Sequence, residues 1–139
     1  VIPMDLSTTC AGCGKRAALI EILAPGELPA DFESRDQEAR DKFLADTDPA
    51  SWRLRYTGPG GGNGDRGTPI TQERAEAFIE VFTEPYSIQL LPKLKMYDRG
   101  SLCPECRKPY CYWCWNTSVN GWGYCPQGHS HGIDPYYGD

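Results

Sequence analysis

A chain of 139 residues and 15.5 kDa is sized for one compact domain, or one domain with a small appended lobe. Lys+Arg 14 against Asp+Glu 19 gives a net charge of -5. That balance disfavours a nucleic-acid phosphate backbone as a partner, and no run approaches the ~20 apolar residues of a membrane span.

The opening residues VIPMDLSTT lack the basic and apolar blocks of a signal peptide, so a cytoplasmic address is the expectation. With Gly 15, Pro 12 and a mean hydropathy of -0.54, the apolar runs are short. The expected class is a small α+β, loop-rich domain that leans on metal, with a mixed helix-strand insert. Its expected parts are an N-terminal knuckle and strand (1–24), an insert (25–100) and a cysteine-rich lobe (101–139).

In chain order, Cys10 and Cys13 (CAGC) come first, followed by a strand over 15–23 (KRAALIEIL), which the breakers Pro25, Gly26 and Pro29 end. Ser34 and Gln37 offer a capping box for a helix running to about Asp46, with Ala39, Phe43 and Leu44 inward. SWRLRYT, over 51–57, alternates apolar and basic residues as a half-buried strand does. The Gly-rich stretch 57–69 (TGPGGGNGDRGTP) lacks the Gly-Lys-Ser/Thr ending of a phosphate-cradling loop and reads as a flexible connector. Thr71 caps a predicted helix over 72–82, whose Ala75, Phe78, Ile79 and Phe82 form one apolar stripe, read as core. A strand over 86–96, interrupted at Pro92, is expected at a sheet edge.

The remaining cysteines carry the chemistry. Cys103, Cys106, Cys111 and Cys114 form two Cys-x-x-Cys pairs in CPECRKPYCYWC, and Cys125 with His129 follows in CPQGH. Two residues between paired cysteines let a tight turn aim both sulfurs at one ion, at about 2.3 Å each. With Cys10 and Cys13 there are seven cysteines and a histidine, which matches two closed four-ligand sites. Disulfides would suit an even cysteine count and wider spacing. CAGCG also resembles a rubredoxin knuckle, which makes iron the chemical alternative, but the histidine favours two Zn²⁺ ions. His131 is a rival for the position given to His129.

The simplest pairing is sequential, with Cys10, Cys13, Cys103 and Cys106 on one ion and Cys111, Cys114, Cys125 and His129 on the other. An interleaved cross-brace, joining Cys10 and Cys13 to Cys111 and Cys114, is the alternative. The sequential site closes a loop of 89 residues between Cys13 and Cys103. That closure costs on the order of 4 kcal/mol plus a constant, against roughly 10–16 kcal/mol returned by structural zinc.

CPECRKPYCYWC resembles the centre of the in-between-RING and second RING modules of RING-between-RING ubiquitin ligases. The resemblance covers 103–114 well, the tail to His129 loosely, and 14–102 not at all. It implies two zincs bound sequentially, and so a small α+β, zinc-stabilised domain with zinc-ribbon or RING-like lobes. The family's in-between-RING module ends His then Cys, whereas here Cys125 precedes His129, and all seven cysteines are spent as ligands, leaving no nucleophile for ubiquitin transfer.

Tyr110, Tyr112, Trp113, Trp115, Trp122 and Tyr124 crowd the second half of the lobe, where they build its core and offer interface anchors. Lys93, Lys95, Arg99, Arg107 and Lys108 gather nearby, as a solvated face or as a small dock for an acidic partner. No Ser-His-Asp set or dinucleotide fingerprint is present, and a His131–Asp134 dyad is disfavoured. The leading expectation is a non-catalytic zinc-binding interaction module, an adaptor or small subunit of a larger assembly, with protein partners and no evident small-molecule substrate. A ligase-like module is second. A redox-active dithiol at Cys111–Cys114 and a nucleic-acid-binding ribbon follow.

Overall fold

The computed structural model describes residues 3–59, 61–94, 101–117 and 122–132. Its centre is an antiparallel pair of strands, β3 (Arg16–Leu23) and β4 (Trp52–Gly58), with Glu21 opposite Arg55 and Ile22 opposite Leu54. Two short strands, β1 (Met4–Asp5) and β2 (Thr8–Thr9), lie along the outer edge of β3. Two more, β5 (Gly61–Gly62) and β6 (Thr68–Ile70), lie along the outer edge of β4. The N-terminal segment and the segment expected as an insert therefore share one sheet.

Period-two alternation sorts the side chains of this sheet. Ala18, Ile20 and Ile22 of β3 face the same way as Leu54 and Tyr56 of β4, and all are buried in the main core. Helix α2 (Gln72–Phe82) covers that face with Ala75, Phe78, Val81 and Phe82. The expected bounds and cap hold: the Thr71 hydroxyl accepts the Arg74 N–H at 3.1 Å. Of the expected stripe, Ile79 is only half-buried and Val81 takes a core place beside Phe82. Each such side chain contributes about 1.5–3 kcal/mol of burial.

Helix α1 (Gln37–Asp46) forms where expected but is capped by Asp36, whose carboxylate accepts the Ala39 N–H at 2.8 Å. Ser34 belongs instead to a short 3-10 turn, Phe32–Ser34. Only Phe43 of the expected inward set is buried, meeting Phe32 edge-on at 5.9 Å, whereas Ala39 and Leu44 are exposed. The expected strand over 86–96 is a 3-10 segment, Ile88–Leu94, with Pro92 inside it and Leu91 and Leu94 reaching the main core. Pro92 lacks the N–H that a sheet ladder needs, and 95–96 lie outside the described residues.

The opposite face of the sheet is polar yet closed. Arg53 and Arg55, expected on the solvent side of a half-buried strand, are each 7% exposed. Arg55 Nη1 donates to Glu21 across the ladder at 2.8 Å and to Asp31 at 3.3 Å. Glu21 also accepts the Ala30 N–H. The Gly-rich stretch is built against this face: Asn63 accepts the Tyr56 N–H and donates to Leu54 O, both at 2.8 Å, and Arg53 donates to Arg66 O at 3.1 Å.

Removing one member of a buried ion pair leaves the other uncompensated, at a cost of about 3–5 kcal/mol. Arg55→Ala is therefore expected to lower unfolding stability by about that much. The double change Glu21→Leu with Arg55→Met should lose less than either single change, as measured by denaturant titration of the metal-loaded chain. Additive losses would show that the pair is not coupled.

Candidate metal centres

Three tight turns present the paired cysteines, and they share one backbone design. The fourth residue after each leading cysteine donates its N–H back to that cysteine's carbonyl: Gly14 to Cys10 at 3.0 Å, Arg107 to Cys103 at 2.7 Å and Trp115 to Cys111 at 3.0 Å. Gly14 and Arg107 both have left-handed backbones, with φ of 79° and 57°. Glycine takes this conformation freely, whereas Arg107 does so at about 1–2 kcal/mol. The fourth ligand pair is held by a narrower loop, with Cys125 N–H donating to His129 O at 2.9 Å.

These turns assemble two groups, each with its four ligand atoms within 4.8 Å of one another: Cys10, Cys13, Cys111 and Cys114, and Cys103, Cys106, Cys125 and His129. All eight sequence-chosen residues are present, but the sequential pairing is overturned. The first pair joins the third and the second joins the fourth. Cys13 Sγ lies 3.5 Å from Cys111 Sγ. Cys106 Sγ lies 3.7 Å from Cys125 Sγ and 3.3 Å from His129 Nδ1, and Cys103 Sγ lies 3.5 Å from the same nitrogen.

The cause is the hairpin between the second and third pairs. Strands β7 (Leu102–Cys103) and β8 (Lys108–Pro109) pair antiparallel, with Cys103 opposite Lys108. The chain therefore doubles back after Cys106 and delivers Cys111 to the N-terminal knuckle, where Ala11 N–H donates to Pro109 O at 2.8 Å. A second hairpin, β9 (Trp122–Tyr124) with β10 (Ser130–Gly132), brings Cys125 and His129 to the Cys103 turn. Loop entropy scarcely opposes this arrangement: each doubling of a closed loop costs only about 0.6 kcal/mol.

Distances within the groups fit a tetrahedral ion. An ion about 2.3 Å from every sulfur sets the sulfurs about 3.8 Å apart, and a sulfur and an imidazole nitrogen about 3.5 Å apart. The observed separations of 3.3–3.7 Å lie close to those edges and well beyond the ~2.05 Å of a disulfide. Both donor sets, four sulfurs and three sulfurs with a nitrogen, suit a closed structural site.

The thiols of each group differ in proton affinity. Burial opposes ionisation of Cys10, but backbone N–H groups of Cys111, Cys13 and Gly12 outweigh it and bring its pKa down to about 6. Burial likewise opposes Cys125, which N–H groups of His129 and Gln127 bring to about 7. Burial pushes Cys103 up to about 12, and the hydrogen bond with Cys10 does the same to Cys114. Each group thus holds one thiol whose ionisation the backbone favours and another whose ionisation is opposed, and a cation binding there would release the remaining protons.

His131 is not a member of either closed group. Its Nε2 meets Glu105 Oε2 at 2.5 Å, and its ring stands edge-on to Trp115 at 6.2 Å. That hydrogen bond holds the Glu105 carboxyl below its ordinary range. Asp134, the other half of the disfavoured dyad, lies outside the described residues, as do Lys95 and Arg99.

Two supporting residues escaped the sequence reading. A Cβ on Gly12 would stand 3.0 Å from Cys114 Sγ, so a larger residue there would require the first and third turns to give by a few tenths of an ångström. Ser101, fully buried with φ of 73°, accepts from Tyr110 N–H at 3.1 Å and from Trp115 Nε1 at 3.2 Å, while its hydroxyl meets Thr8 at 3.2 Å. CAGC hints at the first. Nothing in the sequence marks the second.

His129→Ala is expected to reduce bound metal from two equivalents to one, whereas His131→Ala keeps both, as measured by elemental analysis of the purified chain. Gly12→Ala is expected to weaken the first site roughly 10–100-fold, the scale of losing a supporting contact, in chelator competition. Unchanged affinity would show that the two turns do not interlock.

No family model, curated protein or solved structure matches this chain.

Proposed function

We propose that the chain is a non-catalytic, zinc-stabilised interaction module, working as an adaptor or small subunit of a larger assembly. The observation that carries this reading is the exposure of four aromatic side chains on a lobe whose ligand groups are closed. Trp113 is 78% exposed, Tyr112 47%, Trp122 50% and Tyr124 51%. Tyr110 and Trp115 meet edge-on at 6.1 Å and already fill the lobe's interior, so the other four are not needed as its core. Tyr and Trp presented in this way are favoured anchors for a protein partner.

Zinc is the ion that both donor sets suit best, the histidine-containing one above all. Closed sets of four protein ligands leave no position for water or substrate, which supports a structural role for the ions. The sites then supply folding energy to a lobe whose strands are only two or three residues long.

A ligase-like reading keeps the spacing of CPECRKPYCYWC in its favour. Against it, every one of the seven cysteines falls in a metal group, leaving none as a carrier of ubiquitin. The interleaved pairing also departs from the sequential one that the resemblance implies. Among the described residues, no helix is long and apolar enough to cross a membrane.

Trp113→Ala and Tyr124→Ala are expected to leave folding and two equivalents of zinc intact, yet to reduce partner capture from the native source at least tenfold, since single anchors contribute 2 kcal/mol or more, roughly. Capture unchanged by the double variant would remove the reading. Ubiquitin discharge assays should show no thioester on the chain. Complete zinc removal is expected to erase the near-UV dichroism of the lobe's aromatics, and an unchanged spectrum would contradict a structural role for the metal.

A further inference from the structure

Away from the cysteine-rich lobe, the chain between β3 and α1 folds over a cavity of about 140 Å³. Its walls are Leu23 and Phe43, both buried, with Leu28 and Leu44 at the rim. Leu44, expected inward, is 57% exposed. The cavity gives that exposed leucine an apolar surface to share with a ligand. Its size is that of one apolar side chain, since a dry cavity of about 150 Å³ accepts benzene.

Three charged groups also line it: Arg53, Glu27 and Asp48. Each is only half used. Arg53 donates from Nη1 to Arg66 O and Gly67 O, and among the described residues its other nitrogens make no hydrogen bond. Glu27 spends one carboxylate oxygen on Ala24 N–H at 2.6 Å, and Asp48 spends one on Ala50 N–H at 2.9 Å. Burial and the neighbouring Arg66 charge push the Arg53 guanidinium below its ordinary value, with Asp48 offsetting this only in part, so an added anion there would be welcome. A lone carboxylate would meet two acids, whereas a lone ammonium would be held by the acids but leave Arg53 without an added anion. A molecule carrying both charges beside an apolar group satisfies all three.

We propose that this cavity binds a free apolar α-amino acid of the size of leucine or phenylalanine. Its side chain lies against Leu23, Leu28, Phe43 and Leu44, its carboxylate on Arg53, and its ammonium on Glu27 and Asp48. A peptide terminus offers only one of the two charges, which separates the free amino acid from either end of a protein partner. The site stands apart from both metal groups and does not depend on the interaction reading.

The test is a titration of the full zinc-loaded chain, followed by ¹H–¹⁵N spectra. L-Leucine is expected to give saturable shifts in residues 23–28 and 43–53, with leucinamide, N-acetylleucine and glycine each at least tenfold weaker. Leu44→Asp, at an exposed position, keeps the fold and should weaken leucine at least tenfold. It serves where Arg53→Met fails to fold. Absence of saturable shifts up to about 20 mM leucine, equal binding of leucinamide or N-acetylleucine, or full affinity in Leu44→Asp would each overturn the proposal.

Discussion

Everything in the cysteine-rich lobe depends on one constraint: four residues, Arg107 to Tyr110, must carry the chain from one ligand group to the other. A connector that short has two solutions. It can run forward between consecutive sites, or it can double back as a hairpin and hand the next cysteine to a different partner. Here it doubles back, because Arg107 accepts a left-handed backbone and Lys108 returns opposite Cys103. The third pair then meets the N-terminal knuckle, and the two groups become interlocked rather than strung in series. A metal ion in the first group would tie residue 13 to residue 111 and so clamp the β2–β3 turn of the sheet to the lobe.

Ser101 makes the same junction without metal. Its carbonyl gathers Tyr110 and Trp115, its hydroxyl reaches Thr8 at the sheet edge, and the neighbouring Leu102 enters the main core. Ala17, in β3, packs with the cysteines. Sheet and lobe are therefore continuous, and loss of either metal group should be felt in both.

Much of this was legible beforehand, and the rest failed for definable reasons. The apolar stripe at 75, 78 and 82 located α2 because periodicity, cap and core agree there. The eight residues of the two groups were legible as a set because Cys-x-x-Cys turns are local. Their partnership was not, because the two pairings differ in loop entropy by about 0.6 kcal/mol for a doubled loop, and the decision rests on a hairpin two residues deep. Arg53 and Arg55 misled through chemistry: basic residues on alternate positions signal a solvent face, unless a carboxylate such as Glu21 waits opposite. The Gly-rich stretch reads as a flexible connector yet pairs with β4, because Asn63, rather than any apolar residue, secures it there. Pro92 reads as an edge-strand break, although a 3-10 turn accommodates it as well.

The interleaved pairing is the claim on which the account stands, and ¹¹³Cd-substituted chain examined by ¹H–¹¹³Cd correlation tests it most directly. One cadmium should couple to the His129 imidazole and to the β-protons of Cys103, Cys106 and Cys125, and the other to those of Cys10, Cys13, Cys111 and Cys114. A cadmium coupled to both His129 and the Cys111–Cys114 pair would contradict the account and restore the sequential arrangement.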